Sequence, residues 1–126
     1  MKYIEKIYNN EYEINLEPFK EEVSELDEYM FNKVEKDKNC LFEKAENYIK
    51  EIVDYTKPLF EGGLILNSIN ISGMSERRYQ IEMECYFEND EHMYWSVTYN
   101  FPLIKADKDS VNNATYWPIE FKRRVE

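Results

Sequence analysis

Few side chains in this 126-residue chain can do chemistry. His92 is its only imidazole, set in an acidic stretch beside Glu91. A cysteine nucleophile needs a base within hydrogen-bond reach. Cys85 points inward by alternation and stands seven residues away, along a strand and round its end. A catalytic Cys–His pair is therefore not expected, and His92 reads as a solvated turn residue. Glu82 and Glu84 share one strand face, and paired carboxylates flank the scissile bond in glycosidases. Glutamates at i and i+2 also serve solubility, and a glycosidase needs a deep cleft and a larger scaffold. Asp107-Lys108-Asp109 begins like a calcium loop. The EF-hand pattern then fails at Val111, Asn112 and Pro118, where it requires an oxygen ligand, a glycine and a glutamate. Gly62, Gly63 and Gly73 are the only glycines, too few at the required offsets for GxGxxG or Walker phosphate cradles. One histidine and two cysteines do not build a structural zinc site. The chain reads as a non-enzyme without cofactor or metal.

Charge is the first positive signal. Asp and Glu number 26 against 16 Lys and Arg, a formal net charge of −10 with an isoelectric point near 4.7. Such a field repels phosphate backbones and anionic membrane surfaces and attracts basic proteins. Acidity also serves plain solubility. No apolar run approaches the ~20 residues of a membrane span. Met1-Lys2-Tyr3-Ile4-Glu5-Lys6 lacks the apolar core of a secretory signal. Cys40 and Cys85 show no paired spacing and read as reduced thiols, so the expected compartment is the cytoplasm.

The elements that must position these groups follow from hydrophobic period. The length fits a single domain over residues 1–126. Segments 3–8 and 11–16 read as a hairpin turning at Asn9-Asn10, with Tyr12, Ile14 and Leu16 alternating. From Phe19, apolar residues recur at Val23, Leu26 and Met30, a first helix entered through Pro18. Lys36-Asp37-Lys38-Asn39 interrupts the pattern and reads as a connection. A second helix is expected over 40–56, with Asn39 as N-cap, Lys57-Pro58 as stop, and Leu41, Ala45, Tyr48, Ile49 and Ile52 on one stripe. Strand 64–72 places Ile65, Ile69 and Ile71 on one face, interrupted by Asn67, and turns at Ser72-Gly73-Met74-Ser75. Over 79–87, Tyr79, Ile81, Met83, Cys85 and Phe87 oppose Gln80, Glu82, Glu84 and Tyr86. Glu88-Asn89-Asp90-Glu91 connects to strand 93–101, where Trp95, Val97, Tyr99 and Phe101 alternate with Tyr94, Ser96, Thr98 and Asn100. A polar loop over 105–114 leads to a last strand, 115–122, carrying Trp117, Ile119 and Phe121. The expected fold is α+β, a largely antiparallel sheet with two helices packed on one face, in the order ββααβββ(β). A strand at 3–8 or 115–122 has the means to pair across a two-fold axis, and nothing in the sequence requires it.

Aromatics make 16% of the chain, and two tyrosines fall on the sheet face opposite the expected core. Glu82, Glu84, Tyr86 and Tyr94, with the acidic turn Glu88, Asp90 and Glu91 at their edge, form the expected partner-binding site. Tyrosines supply rigid anchors at protein interfaces, and carboxylates among them select a basic partner. A small, acidic α+β domain with tyrosines among carboxylates resembles the immunity proteins of bacterial toxin systems. That resemblance implies a toxin inhibitor whose basic partner is a toxin domain or nuclease, without direct nucleic-acid or membrane binding. Two rival readings stand beside it: a phage-encoded nucleic-acid mimic aimed at a defence nuclease, and a small-molecule module with a pocket between helices and sheet.

Overall fold

The computed structural model describes residues 4–8, 11–53, 63–88 and 90–125. Strands β1 (Ile4–Tyr8) and β2 (Tyr12–Glu17) precede helix α1 (Glu25–Val53). Strands β3 (Leu64–Ser75), β4 (Arg78–Phe87) and β5 (Asp90–Pro102), helix α2 (Lys108–Asn113) and strand β6 (Trp117–Val125) follow. The fold is α+β around one six-stranded sheet in the order β1-β2-β3-β4-β5-β6. All neighbours are antiparallel except β2 and β3, which run parallel on either side of α1. β1 and β2 form the expected antiparallel pair; Asn9-Asn10, like the Lys57-Pro58 stop, lies outside the described residues.

The helical region differs from expectation. Where two helices were expected with a connection at 36–39, a single helix of 29 residues runs through that block, and Asn39 caps nothing. Lys36-Asp37-Lys38-Asn39 contains neither glycine nor proline, so its polarity alone does not stop a helix. The buried stripe Met30, Val34, Leu41, Ala45 and Ile49 continues across it at helical spacing. Asp37 is polar for a tertiary reason: its Oδ2 accepts the Tyr116 hydroxyl at 2.8 Å. The start is also later than expected. Ser24 and Asp27 form a reciprocal capping box, with Ser24 N–H donating to Asp27 Oδ2 at 2.8 Å and Asp27 N–H to Ser24 Oγ at 3.1 Å. Phe19 thus precedes the helix and is exposed. Its backbone crosses Gly73, where a Cβ would stand 2.5 Å from the Phe19 nitrogen. Gly73 therefore lies inside β3, and the turn falls at Glu76-Arg77.

The core lies between α1 and one sheet face. Tyr79, Ile81, Met83, Cys85 and Phe87 of β4 are buried there, beside Trp95, Val97, Tyr99 and Phe101 of β5 and Ile14, Leu16, Ile69 and Ile71. A register shift between Leu66 and Ser68 moves Ile65 to the opposite face, where it pairs with Tyr86. The second helix of the fold is α2, within the stretch expected to be a loop. Asp107 caps it by accepting from Ser110 N–H at 2.9 Å, and Val111 is its buried residue. The calcium-like run is thus a helix cap. Trp117 and Ile119 are 57% and 51% exposed, because β6 ends the sheet and pairs only with β5 among the described residues.

Three sheet-side tyrosines hold α1. Tyr79 donates to Asp27 Oδ1 at 2.6 Å, Tyr99 to the Leu41 carbonyl at 3.2 Å and Tyr116 to Asp37. Burial, helped at Tyr79 and Tyr116 by the aspartate each touches, raises all three phenols above their ordinary value of 10.0. A phenol raised on folding keeps its proton in the native state while the unfolded chain ionises. Its contribution to stability is therefore complete below pH 10.0 and is lost as pH rises beyond it. Thermal melts should show stability falling steeply above that pH. Tyr79→Phe should cost about 1–3 kcal/mol at neutral pH by depriving a buried carboxylate of a donor, and should flatten the alkaline decline. Chemical denaturation of Lys36→Pro tests helix continuity. An exposed proline in a connection would be nearly neutral, whereas inside one helix it should cost about 3 kcal/mol or more.

Candidate functional site

The face of the sheet opposite α1 has no helix on it among the described residues, and β4 and β5 dominate it. Antiparallel register sets Glu82 against Thr98, Glu84 against Ser96 and Tyr86 against Tyr94. Continued across the sheet, one row reads Asn15, Asn70, Glu82, Thr98, Glu120 and the next Glu13, Ser68, Glu84, Ser96, Lys122. Glu82, Glu84, Tyr86 and Tyr94 are all half-buried within this surface. The structure therefore brings four of the expected site residues together. Glu88 is exposed at the end of β4, its N–H bonded to the Gly63 carbonyl at 3.0 Å. The expected four-residue acidic connection is shorter, because β5 already begins at Asp90, paired with Phe87. The side chains of Asp90 and Glu91 lie outside the described residues.

Side-chain bonds give the face local order. The bulged residue Asn67 donates to Glu84 Oε1 at 2.8 Å. Asn15 donates to Asn70 Oδ1 at 3.2 Å, and Asn70 donates to Ser68 Oγ at 3.1 Å. The Tyr86 and Tyr94 rings meet edge to face with centroids 5.9 Å apart. Sequence reasoning missed what β6 brings. Arg124 donates to Glu84 Oε1 at 3.1 Å and lies over the Tyr94 ring, 4.9 Å from its centroid. Lys122 pairs with Glu120 at 2.8 Å, which raises the lysine above its ordinary value. The available signal was the alternation of Glu120, Lys122 and Arg124 along β6, which sets all three on the face of Glu82 and Glu84.

His92 is exposed, and Cys85 is buried on the helix-covered face. No cluster of three or more His, Cys, Asp or Glu suited to a metal occurs among the described residues. A cleft of about 260 Å³ opens at the start of α1, lined by Phe19, Ser24, Asp27, Glu76 and Tyr79. Asp27 and Tyr79 are buried there, and the Asp27 carboxylate accepts from both the Tyr79 hydroxyl and the Ser24 N–H.

Fold and site together define a class: an open, mostly antiparallel sheet with a long helix on one face and an acidic, tyrosine-bearing surface on the other. Compared with known proteins, the chain matches no family model, no curated protein and no solved structure. No described helix is long and apolar enough to cross a membrane.

Burial, followed by the nearby Glu84 charge, pushes the Cys85 thiol up to about 12. Cys40 is exposed on α1. A chromogenic disulfide reagent at mildly alkaline pH should label Cys40 promptly and Cys85 only after unfolding. Rapid labelling of both in the native state would contradict the packing of β4.

Proposed function

We propose that this chain is a non-enzymatic, cytoplasmic binding protein that neutralises a basic protein partner, a toxin domain or nuclease, in the manner of an immunity protein. The observation that carries this reading is the juxtaposition of Glu82 and Glu84 with the Tyr86–Tyr94 pair on the helix-free face. The chain's own Arg124 illustrates the chemistry of that surface, a guanidinium held between the Glu84 carboxylate and the Tyr94 ring. A partner's arginine or lysine finds further carboxylates at Glu82 and Glu13 in the adjoining positions. The net charge of −10 speeds encounter with a basic surface, while the tyrosines supply desolvated contact area.

Retention of a basic protein by the tagged chain, expressed in its native host, identifies the partner. Binding kinetics then test the surface. Replacing Glu82 and Glu84 together with Gln should slow association and flatten its salt dependence. Tyr86→Ala or Tyr94→Ala should instead raise the dissociation rate, weakening binding by about 1–2 kcal/mol or more. Unchanged affinity in these variants, with the fold intact, would remove the face from consideration.

A further inference from the structure

The sheet ends in β6, and no strand among the described residues pairs with its outer edge. An open edge of nine residues presents main-chain donors and acceptors over roughly 30 Å. Exposed apolar side chains concentrate around it. Ile119 and Phe121 of β6 face Tyr48 and Ile52 of α1 across a shallow groove that runs beside the open edge. Tyr48, Ile52, Trp117, Ile119 and Val125 make up most of the large apolar side chains exposed among the described residues. The register with β5 skips Ile119, and Pro118 lacks an N–H, so the regular part of the edge begins after them.

From these features we infer that the chain forms a two-fold dimer by antiparallel pairing of β6 with β6 of a second copy. Charge order selects the second copy over an unrelated strand. Around Phe121 the sequence reads Glu120-Phe121-Lys122, so a two-fold axis at Phe121 sets Glu120 of each copy opposite Lys122 of the other. Directly opposed residues in an antiparallel pair share a face, so two cross-strand ion pairs form on the outer face. Ile119 then lies opposite the aliphatic stem of Arg123. The same symmetry continues the sheet and keeps both α1 helices on one side. The two grooves of Tyr48, Ile52 and Ile119 therefore meet across the axis and exclude water. The acidic face of each copy stays open, so the dimer stands independently of the partner reading.

Sedimentation velocity into the high micromolar range, with circular dichroism to confirm folding, tests this. The unaltered chain should sediment as a dimer. Glu120→Lys alone, or Lys122→Glu alone, sets like charges opposite each other and should abolish it. Mixing the two variants should restore a dimer containing one copy of each, and the double exchange E120K with K122E should restore self-association. A purely structural role for the Glu120–Lys122 contact within one copy would give no recovery on mixing. An unaltered chain that stays monomeric throughout, single variants that still dimerise, or a mixture that fails to associate would each overturn the inference.

Discussion

A buried hydroxyl must find an acceptor, and three tyrosines, two in the sheet and one at the entry to β6, find theirs on one helix. Tyr79, Tyr99 and Tyr116 reach Asp27, the Leu41 carbonyl and Asp37 of α1. Apolar contacts alone hold a helix on a sheet with little preference for its position along its own axis. Directional bonds near its start and its middle remove that freedom, because sliding the helix would strand several polar groups in a dry interior. Asp27 does double work here. Its carboxylate closes the capping box with Ser24 and receives Tyr79, so helix initiation and helix docking share one buried residue.

The same arrangement makes the two faces of the sheet unlike. α1 covers one face, and every second residue of β4 is withdrawn from water beneath it. The other face keeps its carboxylates, amides and tyrosines half-accessible, ordered by bonds between neighbouring strands. A rigid sheet bearing preordered polar groups loses little entropy on binding, which suits it as a recognition surface. β6 belongs to both stories. Its Arg124 tempers the acidic face at Glu84, and its uncovered apolar residues extend beyond the shelter of α1.

Much of this was legible in order along the chain. Strict alternation in Tyr79–Phe87 and in Trp95–Phe101 decides which side chains enter the core, since a strand turns successive residues to opposite faces. It thereby also decides that Glu82, Glu84, Tyr86 and Tyr94 emerge together. The continuous α1 was harder to see, because Asp37 breaks an apolar stripe for the sake of a tyrosine 79 residues away. Local pattern cannot distinguish a polar residue that ends a helix from one that bonds the sheet beneath it. Ile65 departs from simple alternation for a related reason: the bulge at Asn67 adds one residue and reverses the face of everything before it.

By itself, then, the sequence determined the α+β class, the inward and outward sets of the central strands, and the acidic, tyrosine-bearing character of one face. These depend on period and composition, which are properties of short stretches. The tertiary structure alone decided the single long helix, the parallel β2–β3 pairing, the placement of Arg124 against Glu84 and Tyr94, and the open edge at β6. Each of these depends on which distant segments meet, and that is settled by the competition of whole faces for burial, which no short stretch encodes.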